Sequence, residues 1–219
     1  MSTITRQPDP PMFEADAWCL SEQERDLAAV AREIGQHKIA NRAARYDRDA
    51  AFPVENYRDM FEAGLMGICI PKNYGGHGIR LRGYAIVAAE IGRYCGSTAL
   101  TWNMHVCSCL WSGALLDDLE MDEDDRRRHE TNRAVHYRRI VEEGAIYAQP
   151  FSEGGAAAAG FLAFGTTALR VDGGWIVNGK KIFASLAGNA DYYGVLCSEL
   201  QNSDDRPSRR NTLYLAISA

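Results

Sequence analysis

No stretch of this chain approaches the run of about 20 apolar residues that a helix needs to cross a bilayer. A membrane span is therefore not expected. The opening, MSTITRQPDPPMFEADAW, is polar and punctuated by proline, with no apolar core and no small-residue cleavage site, so no secretory signal is expected either. Basic excess is missing too: 24 Lys and Arg stand against 29 Asp and Glu, a net charge of -5. A nucleic-acid partner would need a basic stripe, and this balance argues against one. Cysteine is sparse, with six in 219 residues at positions 19, 69, 95, 107, 109 and 197, mostly in apolar surroundings. That is too few for a disulfide framework, and a reducing cytoplasm is the natural compartment. There is no internal repeat, and Ala156–Ala159 is the one low-complexity stretch.

The chain does have 46% hydrophobic residues, enough for a core in one large domain or two small ones. Its first two thirds read as helices. Ser21-Glu22-Gln23-Glu24 fits a capping box, and Leu27, Val30, Ala31 and Ile34 follow at helical spacing. Pro53 can open a second helix that buries Val54, Tyr57 and Phe61, with Gly64 closing it in the left-handed conformation. Pro71–Gly78 must be a loop, since three glycines in four residues disfavour a helix. Two more helices are expected over Leu81–Arg93 and Ser97–Leu116, the second apolar nearly all round and therefore central. Acids dominate Asp117–Asp125, and a basic helix starting at Arg126-Arg127-Arg128 runs to about Glu143, the pattern of a solvated connector.

From Ala145 the pattern becomes that of strands. Thr167, Leu169 and Val171 alternate with polar neighbours, Asp172-Gly173-Gly174 turns, and Trp175 and Val177 alternate again as core. Asn178-Gly179 is a strong two-residue hairpin signal, which would set Lys181, Phe183 and Ser185 on one face of the next strand. Asp191–Cys197 and Thr212–Ile217 read as two further strands. The expected fold is α+β: a tail over 1–20 without order, an N-terminal helical bundle over 21–144, and an incomplete antiparallel β-domain over 145–219. A metal site built from His105, Cys107 and Cys109 is disfavoured, because residues 105 and 109 share a helix face and 107 points away. No residue stands out as catalytic.

The loop IPKNYGGHG (Ile70–Gly78), the segment YAQPFSEGG (Tyr147–Gly155) and the segment GWIVNGKKIFAS (Gly174–Ser185) occur in that order, with a helix-to-strand switch between them. In this the chain resembles the acyl-CoA dehydrogenase family over roughly residues 21–219. The resemblance implies FAD as cofactor and α,β-dehydrogenation of an acyl-CoA thioester, with electrons passing to an electron-transferring flavoprotein. It further implies a homo- or hetero-oligomeric assembly. Residue by residue, Ser152 matches a hydroxyl that binds the pyrimidine edge of the flavin, presented by Gln149, Pro150 and Phe151. Phe183 matches an aromatic packed against the ring, and Ser185, following Ala184, matches a hydroxyl near the hydride-accepting nitrogen. The pattern departs in three places. Gly154 replaces a proline, while Ala158 and Ala159 stand where the family carries a serine that contacts the CoA portion and an aspartate. An Ala158 lining would leave a polar pantetheine group unpaired, at about 1–3 kcal/mol. The resemblance also implies that the sequence ends inside the β-domain, short of the helical domain that carries the catalytic glutamate. The alternatives are a flavin-dependent monooxygenase on the same scaffold and a non-catalytic split or truncated subunit. Glu153, beside Ser152, reads as structural.

Overall fold

The computed structural model describes residues 9–14, 16–154, 162–202 and 204–219. The chain forms two compact units, Met1–Gly144 and Ala145–Ala219.

The first unit is helical. Ser21 caps α1 (Glu22–Ile34): its hydroxyl accepts from the Glu24 N–H at 3.2 Å, and Glu24 reaches back to the Ser21 N–H at 2.8 Å. The helix continues through a π-helical turn, Gly35–Ile39, into α2 (Ala40–Asp49). A Cβ at Gly35 would lie 2.1 Å from the Tyr94 ring, so the turn packs where only glycine fits. Next come α3 (Val54–Glu62), closed by Gly64 at φ 74°, then α4 (Leu81–Gly92), α5 (Gly96–Ser112), α6 (Ala114–Asp117) and α7 (Glu123–Glu143). Ile39, Met60, Leu65, Ile91, Trp102, Tyr137 and Ile140 are buried in this unit. Several of its buried polar groups are partnered: Glu90 takes Arg32 at 3.1 Å, and the Trp102 indole donates to the Leu65 carbonyl at 3.2 Å.

Three expectations change here. The segment expected to lack order is docked from Asp9 onward. Its Asp9 N–H donates to Gln36, its Met12 N–H to Glu90, and Phe13 packs on Leu20, Ala28 and Ile86. Pro53 acts as the cap of α3 rather than its first turn, and the buried residues of the helix are Asn56, Tyr57, Asp59 and Met60, with Phe61 half-buried and Val54 exposed. The long central helix is interrupted at Gly113, and Leu100 on it is exposed. Among the described residues no helix is long and apolar enough to cross a membrane, and no group of three His, Cys, Asp or Glu side chains could hold a metal.

The second unit is a five-stranded sheet: β1 (Tyr147–Ala148), β2 (Thr167–Val171), β3 (Gly174–Asn178), β4 (Tyr192–Leu200) and β5 (Thr212–Ser218). β5 runs antiparallel along β4 from Tyr192↔Ser218 to Ser198↔Thr212. β1 and β2 pair with opposite ends of β4 in parallel, at Tyr147↔Tyr192 and Thr167↔Ser198, and β3 pairs antiparallel with β2. The α+β class stands, but the sheet is mixed rather than antiparallel. Alternation along a strand reports which face is buried and says nothing of the direction of its neighbour.

Asn178-Gly179 is not a hairpin turn. Neither residue has the positive φ that the tight turn requires, and no strand follows within residues 179–190. The hairpin of this region is the two-residue loop Asp172-Gly173, with Gly173 at φ 81°. Gly179 has a different reason: a Cβ there would stand 2.4–2.6 Å from Thr166, so the chain passes Thr166 too closely for any side chain.

Candidate functional site

The segments 149–153 and 181–185 meet within the second unit. The Ile182 N–H donates to the Ser152 carbonyl at 2.9 Å. One residue away on each side, the Lys181 ammonium meets the Glu153 carboxylate at 2.7 Å and donates to the Phe151 carbonyl at 3.3 Å. Glu153 also accepts the Gly165 N–H at 2.7 Å and the Thr166 N–H at 2.9 Å, and the Lys181 ammonium lies 4.5 Å from the centre of the Phe164 ring. Both side chains are only 10% exposed. Burial alone would push the Glu153 carboxyl up. Lys181 and the backbone donors outweigh it and hold that group at about 2.

Gln149 and Pro150 are buried as the chain leaves β1, and the Gln149 amide nitrogen donates to the Tyr214 hydroxyl at 3.0 Å. Tyr214 can lie there because residue 194 has no side chain; a Cβ on Gly194 would sit 2.0 Å from the phenol oxygen. The Phe151 ring stands edge-on to Tyr214 with centroids 6.4 Å apart, and the Phe151 N–H folds back on the Gln149 carbonyl at 2.9 Å. On the other segment, Phe183 adopts φ 53°, and the Ser185 N–H donates to the Phe183 carbonyl at 3.0 Å. Phe183, Ala184 and Ser185 thus form a tight turn rather than the strand face expected from the sequence. The turn is anchored by Leu186, which is buried despite its φ of 75°.

Three features of these two segments have no partner among the described residues. Ser152 and Ser185 are half-buried, and neither hydroxyl makes a hydrogen bond among the described residues. The Phe183 ring is 84% exposed while its backbone is held in a conformation that side chains disfavour. Ala158 falls outside the described residues. Sequence reasoning overlooked Lys181 as the partner of Glu153. The available signal was an acid beside one hydroxyl-bearing residue and a pair of lysines, Lys180 and Lys181, just before the other. Elsewhere, His105 contacts the Met66 carbonyl at 3.1 Å, and burial raises the Cys107 and Cys109 thiols.

Residues 21–115 match the family model described as acyl-CoA dehydrogenase, N-terminal domain. Among curated relatives, the mitochondrial isobutyryl-CoA dehydrogenase of Bos taurus is 28% identical over 178 residues, covering 81% of this chain and 40% of the relative. Butyryl-CoA dehydrogenase from Megasphaera elsdenii superposes with a TM-score of 0.71 at 21% identity, covering 91% of this chain and 49% of that one. The dibenzothiophene monooxygenase TdsC from Paenibacillus sp. A11-2 superposes with a TM-score of 0.66 at 18% identity, covering 89% and 43%. Residues 21–115 belong to the acyl-CoA dehydrogenase N-terminal domain family, and over about four fifths of its length the chain is similar to acyl-CoA dehydrogenases. It spans 20% to 44% of the length of the curated relatives it matches.

Proposed function

We propose that this chain contributes the flavin-binding edge of an acyl-CoA dehydrogenase-type flavoprotein, with FAD as the cofactor. The observation that carries the reading is the bond from the Ile182 N–H to the Ser152 carbonyl, which brings two half-buried hydroxyls, without a hydrogen bond among the described residues, onto one pair of adjoining segments. These residues suit a flat ring edged with hydrogen-bond acceptors and donors. Ser152 and Ser185 supply hydroxyls, the backbone of Gln149, Pro150, Phe151 and Ala184 frames them, and Phe183 offers an aromatic face. A bound flavin supplies the two-electron acceptor; the chain binds it, orients it and excludes water from its edge. The reaction proposed for the whole protein is α,β-dehydrogenation of an acyl-CoA, passing electrons to an electron-transferring flavoprotein, with Ala158 lining the substrate.

The test is a titration of the purified chain with FAD, followed by flavin fluorescence and by the visible spectrum. Saturable quenching that weakens about threefold to thirtyfold in Ser152→Ala and in Ser185→Ala is the expected result, the loss of one hydrogen bond each. A chain that never binds FAD, or binds it equally with both serines removed, overturns the reading. A second reading, a flavin-dependent monooxygenase, is supported by the fold shared with the dibenzothiophene monooxygenase. Anaerobic bleaching of bound flavin by acyl-CoA favours the dehydrogenase, whereas oxygen-dependent turnover of reduced flavin favours the monooxygenase.

A further inference from the structure

We infer that Glu153 and Lys181 are positioning residues of this edge: their ion pair is the latch that holds Ser152 and Ser185 in register for one ring. The inference rests on the flavin reading above. No strand ladder joins segments 149–153 and 181–185; among the described residues a single backbone hydrogen bond, Ile182 to Ser152, links them. A ring-binding constellation must hold its groups within about 0.5 Å, and one backbone bond between two loops does not do that. The ion pair does. Glu153 adjoins Ser152 in the chain, Lys181 stands four residues before Ser185, and their charged ends meet at 2.7 Å with little exposure to water.

The pair is also tied to the sheet. Both Glu153 oxygens are occupied, one by Lys181 and the Thr166 N–H, the other by the Gly165 N–H. Lys181 in turn reaches the Phe151 carbonyl and the Phe164 ring. Thr166 immediately precedes β2, and its carbonyl accepts the Ser198 N–H of β4 at 2.9 Å. A fully satisfied buried pair adds little net stability over an apolar one, but it fixes a single geometry. That is the property a ring-binding edge needs.

The arrangement is asymmetric, and this gives a sharp test. Position 153 must accept from two backbone N–H groups, so a lysine there cannot replace the carboxylate. Glu153→Gln, Lys181→Met, Lys181→Arg and the swap Glu153→Lys with Lys181→Glu are compared in the full chain. The measurements are hydrogen exchange of the Ile182 amide, thermal melting, and titration with FAD. Exchange at Ile182 should rise at least tenfold in Glu153→Gln and Lys181→Met. In the same variants FAD affinity should fall at least tenfold, with a blurred visible band. Lys181→Arg should stay within threefold of the parent on both counts, and the swap should not recover. Wild-type exchange and affinity in both single variants would overturn the latch. So would full recovery by the swap, which would make the pair a simple charge attraction. Should a variant fail to fold, Lys181→Arg decides: a melt equal to the parent with tenfold weaker FAD binding also overturns the proposal. A parent chain that binds no FAD sinks the flavin reading alone, since exchange at Ile182 still judges the latch.

Discussion

Replacing Gly179 by alanine should be the most damaging single-methyl change in the second unit, for a reason that has nothing to do with turn chemistry. The new Cβ would lie 2.4 Å from the Thr166 Oγ1 and 2.6 Å from its Cα and Cβ, so relief requires moving backbone rather than a flexible side-chain tip. Overpacking of this kind costs about 1–3 kcal/mol. Thr166 is held by its N–H to Glu153 and its carbonyl from Ser198, and disturbing both adds about 1 kcal/mol each at most. A loss of about 3 kcal/mol lowers the melting temperature of a chain of this length by roughly 6–12 °C. Two neighbours serve as controls. Gly188 has open space but φ 82°, so Gly188→Ala meets only backbone strain of about 1–2 kcal/mol. Gly174 has open space and no left-handed φ, so Gly174→Ala should fall within about 0.5 kcal/mol of the parent. The assay is thermal denaturation followed by circular dichroism. A Gly179→Ala protein that melts with Gly174→Ala would refute the close approach, and one that melts with Gly188→Ala would return the position to ordinary glycine conformation.

Phe183→Gly should stabilise the ligand-free chain by about 1 kcal/mol through relief of the left-handed strain, while weakening FAD binding about threefold to tenfold through loss of the aromatic face; opposite shifts in melting and titration are the expected signature. The native chain should give one fast-reacting thiol, the exposed Cys19, while Cys69, Cys109 and Cys197 react with a disulfide reagent only on unfolding. Burial pushes the Cys69 thiol up to about 12, and peptide mass mapping after a timed quench would check the order. The Glu153 carboxyl is held at about 2, below its ordinary 4.5. Its contribution to stability is therefore complete above pH 4.5 and is lost as pH falls through that interval toward 2. Acid titration should show a steeper loss over that interval in the parent than in Glu153→Gln, which keeps the contributions of other carboxylates held low, among them Glu24, Asp59 and Glu130.

What could be read directly from the sequence was local chemistry. The Ser21–Glu24 capping box spans four residues and carries its own two hydrogen bonds, and Gly64 closes its helix within the same turn. Apart from Pro53, a local misreading of where α3 begins, the failures involve a distant partner. Gly35 lies under Tyr94, far along the chain, so the π-helical turn has no local cue. Glu153 and Lys181 are 28 residues apart, and nothing in either segment alone announces the other. Asn178-Gly179 is the clearest case: the dipeptide is a genuine turn signal, but its glycine answers to Thr166, thirteen residues earlier.

That misreading also explains why the candidate edge exists where it does. Had Asn178-Gly179 closed a hairpin, the next strand would have paired beside β3, and residues 181–185 would have been spent in a ladder. Instead the sheet order places β2 between β3 and β4. The chain leaving Asn178, which pairs with Thr167, must pass the start of β2 to reach the other side. Gly179 makes that passage against Thr166, and the residues that follow are left free of strand pairing as the connection proceeds to Tyr192. Glu153 bonds to the backbone at the same place, through Gly165 and Thr166. The start of β2 is thus the common anchor of both hydroxyl-bearing segments. A connection that passes over β2 to the antiparallel β4, rather than a tight turn, is what leaves Ser185 out of any strand ladder and brings its segment against that of Ser152.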